Sequence, residues 1–278
     1  MSDFITITLR DGATVRAKVA GAGPPLILLG NMVAWPFWAS QIPALAQHYR
    51  VIAPQYRHQV TSDASALDML AADVPDLIRA LGYEQALVMG HSIGAMVLAH
   101  VLERTPEVIQ AAVLADGFWR MRLLPTPLHW LQPHLAPLLW IYPRLPWVVR
   151  QLIGYLFIWI DQHVFLHREP DSEKRKMFFS YTDTPDVAMV LGIGAAIEYH
   201  EPPDVSQATM PVLVVTGGQD RWQSVADAQA LAERLPCGEH VIFPSAGHMV
   251  PMLVPEAFNQ IVLEFFGRAV TPAETPVL

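Results

Sequence analysis

The sequence predicts an α/β fold, in which a mostly parallel, eight-stranded sheet has helices on both faces and carries an inserted helical lid. Two observations support this prediction: short apolar runs alternate with helical segments along most of the chain, and one long segment interrupts the alternation. Apolar runs without polar alternation are typical of strands buried on both faces. Strand–helix alternation favours a parallel sheet covered by helices. We therefore expect a core over residues 1–118 and 208–278 and a lid over residues 119–207.

The individual elements can be assigned in chain order from local patterns. A tight turn at residues 10–13 joins the first two β-rich segments and predicts a hairpin. The predicted strands are 4–9, 14–19, 26–29, 49–53, 85–89, 109–115, 212–216 and 239–243. The predicted helices, which carry apolar residues at helical spacing, are 38–48, 64–81, 94–104, 225–235 and 255–266.

The interrupting segment is unusually apolar. Residues 123–167 contain three formally charged side chains in forty-five positions and four of the eight tryptophans, namely Trp130, Trp140, Trp147 and Trp159. Six prolines within residues 125–146 prevent one continuous helix there. Residues 147–165 could be helical and apolar nearly all round, but Arg150 and Asp161 lie within this window and argue against a membrane span of about twenty residues. A helical lid with an apolar inner face is the preferred interpretation.

Composition excludes several classes of protein. The 278 residues are 52% hydrophobic and 16% charged, which is incompatible with a disordered chain. A net charge of −8 without a basic run argues against a nucleic-acid binder. The single cysteine, Cys237, excludes an intramolecular disulfide and is expected to be a small buried side chain. No phosphate loop, metal-ligand cluster or secretory signal is apparent, so we expect no cofactor, no metal and a cytoplasmic protein.

The most informative motif is the pentapeptide Gly90-His91-Ser92-Ile93-Gly94. It follows a predicted buried strand and opens a predicted helix, which is the context of a nucleophile elbow. The serine of such an elbow lies in a strained, sharp turn, and its glycine neighbours must lack side chains so that strand and helix can approach. The turn exposes the hydroxyl and places the next backbone N–H at a helix N-terminus, where negative charge is favoured.

A serine hydroxyl needs a base to take its proton and a carboxylate to orient that base. Asp220 comes just after the predicted strand 212–216, and His248 comes just after the predicted strand 239–243. Because sites in parallel sheets lie outside the carboxyl ends of the strands, both side chains should converge with Ser92 on one edge of the sheet.

On these residues the chain resembles the α/β-hydrolase-fold enzymes, which place their catalytic residues in the order Ser, Asp, His. The resemblance covers essentially everything outside the lid, and the family carries a variable lid at the place of the insertion. Its other marks are residues 25–30, Trp38, Gln41, residues 51–54, Gly218, Asp220, Gly247 and His248. The resemblance implies Ser92 as nucleophile, His248 as general base and acid, and Asp220 as orienting acid. Asp116, at the alternative acid position of some members, is the rival.

A tetrahedral intermediate needs two preorganised N–H donors. The backbone of Ile93 is one candidate, and the resemblance implies that of Asn31 as the second, with Met32 as a substitute. Relatives usually have His-Gly at positions 29–30, where this chain has Leu-Gly, so the histidine that supports this loop is missing. Residues 55–59, Gln-Tyr-Arg-His-Gln, also depart from the family's acidic residue followed by Arg-Gly-His-Gly, and the sequence suggests no function for them.

The residues predict a serine hydrolase that cleaves carboxylic esters with a hydrophobic acyl or alcohol group through an acyl-enzyme. Dehalogenases and epoxide hydrolases of this fold use a carboxylate nucleophile, and Ser92 argues against both. C–C bond hydrolase, lactonase and perhydrolase activities remain open, as does a catalytically silent protein that binds a hydrophobic ligand. The substrate pocket is expected to include Met32, Trp119, Trp130, Trp140 and Trp159. Alternatively, the lid residues only pack on each other, or part of the lid contacts a membrane surface.

Overall fold

A mixed sheet organises the part of the chain that the structure describes. The computed structural model describes residues 3–30, 35–57, 66–117, 145, 146, 148, 149, 152, 203–220 and 223–270. The strands are β1 (Asp3–Thr8), β2 (Thr14–Ala20), β3 (Pro25–Leu29), β4 (Arg50–Pro54), β5 (Ala86–His91), β6 (Ile109–Ala115), β7 (Val212–Gly217) and β8 (Gly238–Phe243).

These strands form one sheet in the order β1-β2-β4-β3-β5-β6-β7-β8. Strands β1 and β2 form the predicted hairpin, in which Thr8 pairs with Thr14 and Asp3 pairs with Val19. Strand β2 is also antiparallel to β4, and all further neighbours, from β4 to β8, run parallel. The prediction of a mostly parallel, eight-stranded sheet is confirmed for the described residues.

The helices follow the strands as the alternation predicts. They are α1 (Ile42–Leu45), α2 (Ala66–Ala80), α3 (Ile93–Arg104), α4 (Val225–Arg234), α5 (Val250–Leu253) and α6 (Pro255–Val270). Short 3₁₀ helices occupy Trp35–Trp38 and Pro106–Val108. The helix predicted over residues 38–48 is much shorter than expected. Pro43 accounts for its late start, because a proline without N–H is tolerated only in the first turn of a helix.

The core lies in two layers, one on each face of the sheet. In β3, Ile27 and Leu29 pack into the layer that contains α2, α3 and α4, whereas Leu26 and Leu28 pack into the layer that contains α1, α5 and α6. All four leucine and isoleucine side chains are almost completely buried. Burial on both faces is why this strand is apolar at every position instead of alternating. The helices on both faces of the predicted fold are confirmed.

Three expectations about the rest of the chain have different outcomes. Cys237 is exposed, so the prediction of a buried cysteine is wrong: the residue lies in the turn between α4 and β8, where its side chain has no core to join. The predicted lid, residues 119–207, falls almost entirely outside the described residues, and the division into core and lid stays a prediction. Within the described residues, no helix is long and apolar enough to cross a membrane.

Candidate active site

Ser92 occupies the sharp turn between β5 and α3. Its backbone has φ 53° and ψ −115°, in the region of positive φ that costs a non-glycine residue about 1–3 kcal/mol. The Ser92 N–H donates to the Ala115 carbonyl at 2.9 Å, which ties the turn to the end of β6. A Cβ atom on Gly90 would overlap the carbonyl of Gly94, and one on Gly94 would overlap the carbonyl of Leu29. Both glycines are therefore required by close backbone approach.

The three residues predicted to act together meet at the carboxyl edge of the sheet. The Oγ atom of Ser92 lies 2.9 Å from Nε2 of His248, and Nδ1 of His248 lies 2.8 Å from Oδ2 of Asp220. The other oxygen of Asp220 accepts from the backbone N–H of Gln223 at 3.2 Å. With Nδ1–H donating to the carboxylate, Nε2 carries the lone pair that accepts the hydroxyl proton. This arrangement suits a serine activated by a histidine base.

Backbone hydrogen bonds join the acid loop, residues 217–220, to the base loop, residues 244–248. The N–H of Gly218 donates to the Phe243 carbonyl at 2.8 Å, and the N–H of Gln219 donates to the Ala246 carbonyl at 2.9 Å. Both loops are short and begin where a strand ends: β7 is buried throughout, and β8 is the partly exposed strand at the edge of the sheet. The distance between the carboxylate and the imidazole is thus fixed largely by the neighbouring strands β7 and β8.

Asp116, the rival acid, lies at the end of β6 and has different partners. Its side chain is completely buried, and its carboxylate accepts from the N–H groups of Gly217 and Val250, each at 3.1 Å. Burial, and then the charge of Asp220, raises the pKa of Asp116 well above its usual value. The imidazole Nδ1 that an orienting acid must face is hydrogen-bonded to Asp220. The geometry therefore favours Asp220 for that role.

His91 is completely buried beneath the base loop. Its Nε2–H donates to the His248 carbonyl at 2.8 Å, and its ring stacks on Phe37 with centroids 4.2 Å apart. Burial, and then the charge of His248, lowers the pKa of His91 to about 3, so the ring is neutral at pH 7. His91 therefore packs beneath the base loop as a neutral ring that supports the His248 backbone.

With this geometry described, comparisons with known proteins decide the family. The sequence model of the Alpha/beta hydrolase family matches residues 19–261, most of the chain. The chain belongs to this family. It is 27% identical over 248 residues to a putative carbamate hydrolase RutD of Caulobacter sp. (strain K31), with 83% of this chain and 85% of the relative covered. It is 22% identical over 260 residues to epoxide hydrolase 3 of Mus musculus, with 88% of this chain and 71% of the relative covered.

A solved structure gives the same result for the fold. A thermophilic esterase from Thermogutta terrifontis matches with a TM-score of 0.74 at 18% identity, covering 97% of this chain and all of the esterase. At this level of identity the likeness shows the fold alone. The names of the two relatives denote different reactions, a carbamate hydrolase and an epoxide hydrolase. Membership of the family therefore does not determine which reaction this chain catalyses.

The oxyanion side of the site, formed by the predicted N–H donors of Ile93 and Asn31, is only partly within the described residues of this alpha/beta hydrolase. Ile93 is the first residue of α3, directly after Ser92, so its N–H belongs to the first turn, whose donors have no partner within the helix. The other predicted site residues, Asn31, Met32, Trp119, Trp130, Trp140 and Trp159, lie outside the described residues. The second donor and the pocket therefore stay predictions.

Tyr56 is a site residue that the sequence did not reveal. Its hydroxyl donates to the carbonyl of Gly30 at 2.6 Å, at the end of β3. The neighbouring Arg57 forms ion pairs with Asp73 and with Asp11, the latter at 2.8 Å. The beginning of the loop after β4 is thus anchored on both sides, and it holds the backbone just before the predicted second donor, where the family resemblance implies support from a histidine. No local pattern in the sequence distinguishes this tyrosine from a packing residue.

Among the described residues of this alpha/beta hydrolase, no group of three or more His, Cys, Asp or Glu side chains is arranged to hold a metal ion. The titratable side chains at the carboxyl edge, Asp116, Asp220, His91 and His248, bond to one another or to backbone groups. The chemistry that these residues can perform is proton transfer around the serine.

Proposed function

We propose that this alpha/beta hydrolase is a serine hydrolase that cleaves carboxylic esters through an acyl-enzyme. The observation that carries the proposal is the continuous chain from Ser92 Oγ through the His248 ring to the Asp220 carboxylate, with distances of 2.9 and 2.8 Å. An epoxide hydrolase of this fold needs a carboxylate at position 92. A serine whose proton can pass to an imidazole is suited instead to attack on an acyl carbon.

The proposed first half-reaction forms the acyl-enzyme. His248 takes the proton of Ser92 as Oγ attacks the ester carbonyl carbon, and the negative charge of Asp220 stabilises the imidazolium that results. The oxyanion is stabilised by the N–H of Ile93 at the positive end of α3 and by the second donor predicted at Asn31. The imidazolium then gives its proton to the departing alkoxide, which leaves as an alcohol.

The second half-reaction releases the acid by the same groups. His248 takes a proton from a water molecule, whose oxygen attacks the acyl carbon of the ester on Ser92. Collapse of the second tetrahedral intermediate breaks the bond to Oγ, and the imidazolium returns its proton to Ser92. Because Ser92 and His248 are 7% and 8% exposed, these charges develop in a largely water-free setting, where fixed dipoles act more strongly.

The proposed substrate carries a hydrophobic acyl or alcohol group. The support is compositional: the predicted lid is poor in charge and rich in tryptophan, with Trp130, Trp140 and Trp159 expected at the pocket. Each buried methylene contributes about 0.8 kcal/mol, or roughly fourfold in binding. Catalytic efficiency should therefore rise over several carbons of chain length before the pocket is filled.

Carbamates are a second candidate substrate class. The supporting observation is the 27% identity to a protein named as a putative carbamate hydrolase over most of both chains. A carbamate also presents a carbonyl carbon to Ser92, so the same proton transfers would apply. Lactones, C–C bonds and peracids would use the same three residues, and a silent ligand-binding protein would use none of them for turnover.

A chain-length series of p-nitrophenyl esters, from acetate to laurate, tests this proposal together with a p-nitrophenyl carbamate. We expect turnover of esters that increases with chain length, loss of turnover in Ser92→Ala, and unchanged turnover in the control Ser40→Ala. A preference for acetate would contradict the large apolar pocket. Faster carbamate than ester turnover would favour the second candidate. A rate increase seen only with added lipid vesicles would favour a lid that contacts a membrane.

A further inference from the structure

A buried carboxyl group that the proposed reaction does not use lies beside the three reacting side chains. Asp116 is completely buried and has φ 50°, one of two non-glycine residues with positive φ among the described residues, the other being Ser92. A buried carboxyl and a strained backbone both reduce stability unless they are compensated. Backbone strain of this kind clusters at functional sites, and here it occurs at Asp116 and at the proposed nucleophile.

The carboxylate of Asp116 accepts from one N–H group at the start of the acid loop and from one in α5, just after the base loop. Oδ1 accepts from Gly217, the last residue of β7, whose own carbonyl accepts from the N–H of Asp220 at 3.1 Å. Oδ2 accepts from Val250, two residues beyond His248. One side chain therefore joins the start of the acid loop to the first residue of α5, which directly follows the base loop and Met249.

His91 adds a third contact to this arrangement. Its Nε2 lies 3.4 Å from Oδ2 of Asp116 and 2.8 Å from the His248 carbonyl to which it donates. The backbone on both sides of the His248 ring is thus held, at residue 248 by His91 and at residue 250 by Asp116. The charged or titratable groups that face Asp116 are His91 on β5, Asp220 after β7 and His248 after β8.

We propose that Asp116 is a positioning residue, which ties the acid and base loops to the end of β6 and so holds the His248 imidazole between Ser92 and Asp220. This inference rests on the proposed function, because it assigns a role within the same reaction. The imidazole must keep both of its hydrogen bonds while it gains and loses a proton. A displacement of about 1 Å in such a geometry can cost about a hundredfold in rate.

The negative charge of Asp116 also supports the reaction, because it stabilises the protonated imidazole of His248. The charged imidazole of His248 and the carboxylate of Asp116 attract each other, which opposes the effect of burial on the pKa of Asp116. By the same attraction, the carboxylate favours the protonated imidazole that forms as Ser92 attacks. At a pH where Asp116 is ionised, loss of its charge therefore makes the imidazolium harder to form, in addition to loosening the loops.

The test compares Asp116→Asn, which keeps one acceptor oxygen, with Asp116→Ala, which keeps none. We expect kcat for a p-nitrophenyl ester to fall about tenfold in the first and further in the second, with KM changed by less than about twofold. The acid limb of the kcat/KM profile should move to lower pH in Asp116→Asn, because an imidazole without the nearby negative charge is protonated less readily. Partial rescue by asparagine is expected from its remaining acceptor.

The control is Val101→Ala, which removes buried methyl groups near the C-terminal end of α3, nine residues beyond Ser92, and so destabilises the core. Histidine NMR follows the His248 ring directly, with its signal assigned by its loss in His248→Gln. We expect His248 to titrate about half a pH unit lower in Asp116→Asn than in the wild type, and unchanged in Val101→Ala. This readout needs no substrate, so it separates failure of the inference from failure of the proposed function.

Asp116 variants with kcat like Val101→Ala and an unshifted His248 titration would overturn the inference. If neither Asp116 variant folds, His91→Gln and His91→Leu decide instead, because glutamine can still donate to the His248 carbonyl and leucine cannot. The network then predicts a loss of kcat, with KM little changed, in His91→Leu and substantial recovery in His91→Gln. Equal kcat in these two variants would overturn it.

Discussion

The two sides of the candidate site are built differently. On the acid and base side, Asp220 and His248 follow directly from β7 and β8, and backbone hydrogen bonds join their loops. On the oxyanion side, the backbone at the end of β3 is held by the Tyr56 hydroxyl from the loop after β4. The first side repeats the family's motifs, whereas the second departs from them and has a different support. In this chain the reacting side chains are recognisable from local motifs, whereas the support of the loop after β3 comes from a residue of another loop.

The largest expected effect comes from removing the nucleophile or the base. Ser92→Ala and His248→Ala should each lower kcat for an ester by about 10⁴-fold or more, because the three residues act as a unit. The double variant should be no slower than either single variant. Steady-state kinetics measure kcat of each variant, and circular dichroism verifies that each variant is folded. Losses that multiply in the double variant would mean that the two side chains act independently.

The next effect distinguishes the two buried carboxylates. Asp220→Asn should lower kcat by about 10³-fold, since the amide has no negative charge to stabilise the imidazolium and its NH2 group can hold the imidazole in the wrong tautomer. The loss in Asp116→Asn should be about tenfold, since Asp116 bonds to loop N–H groups. Parallel assays of the two variants compare them under the same conditions. Full activity in Asp220→Asn together with inactivity in Asp116→Asn would exchange the two assignments.

A smaller effect concerns the stability of this side at low pH. Burial lowers the pKa of His91 to about 3, whereas an unfolded histidine titrates near 6.5. Between these values the unfolded chain binds a proton that the folded chain does not, so the contribution of His91 to stability is lost as the pH falls below about 6.5. Relative to His91→Gln, the wild type should lose about 2 kcal/mol of unfolding free energy between pH 7.5 and pH 5.

Urea titrations at the two pH values measure this difference. Any titration of Asp116 occurs in both proteins and cancels in the comparison. The matched control is His48→Gln, which makes the same substitution at an exposed position. A wild type and His91→Gln that respond equally to acid would show that His91 does not remain neutral in the folded protein.

The smallest effect tests the oxyanion side. Tyr56→Phe removes one hydroxyl and frees the Gly30 carbonyl, so we expect kcat to fall about fivefold while KM stays nearly constant, well below the cost of losing an oxyanion donor outright. Tyr83→Phe is the control, since the Tyr83 hydroxyl is also partly buried and accepts from Arg50 at 2.9 Å, at the other end of β4. Equal kcat in the two variants would show that the Tyr56 hydroxyl does not support the oxyanion side.

Much of this molecule is predictable from local sequence patterns. Apolar strands such as residues 26–29, the elbow around Ser92, and the strand-end positions of Asp220 and His248 each leave a mark within a few residues. The contacts of Asp116 do not, because its partners Gly217 and Val250 are 101 and 134 residues away in the chain. The exposure of a turn residue such as Cys237 is equally hard to predict, since it depends on which elements pack against the turn in the folded protein.

The helix predicted over residues 38–48 illustrates a different limit. Its apolar spacing reflects a buried face, on which Trp38, Ile42 and Leu45 pack together, but the backbone there forms a 3₁₀ turn and a short α1. Periodicity reports which side chains are buried and reports the backbone only indirectly. The Tyr56 hydroxyl bond to Gly30 is missed for a similar reason, because a tyrosine after a strand has no pattern that distinguishes it from a packing residue.

Covalent labelling with a fluorophosphonate tests the central claim, that Ser92 is a nucleophile activated by His248 and oriented by Asp220, most directly. Incubation followed by peptide mass spectrometry should find the adduct on Ser92 in the wild type, none in Ser92→Ala, and much slower labelling in His248→Ala. Ser40→Ala should label like the wild type. A folded wild type that stays unlabelled, or an adduct on a different serine, would contradict the account.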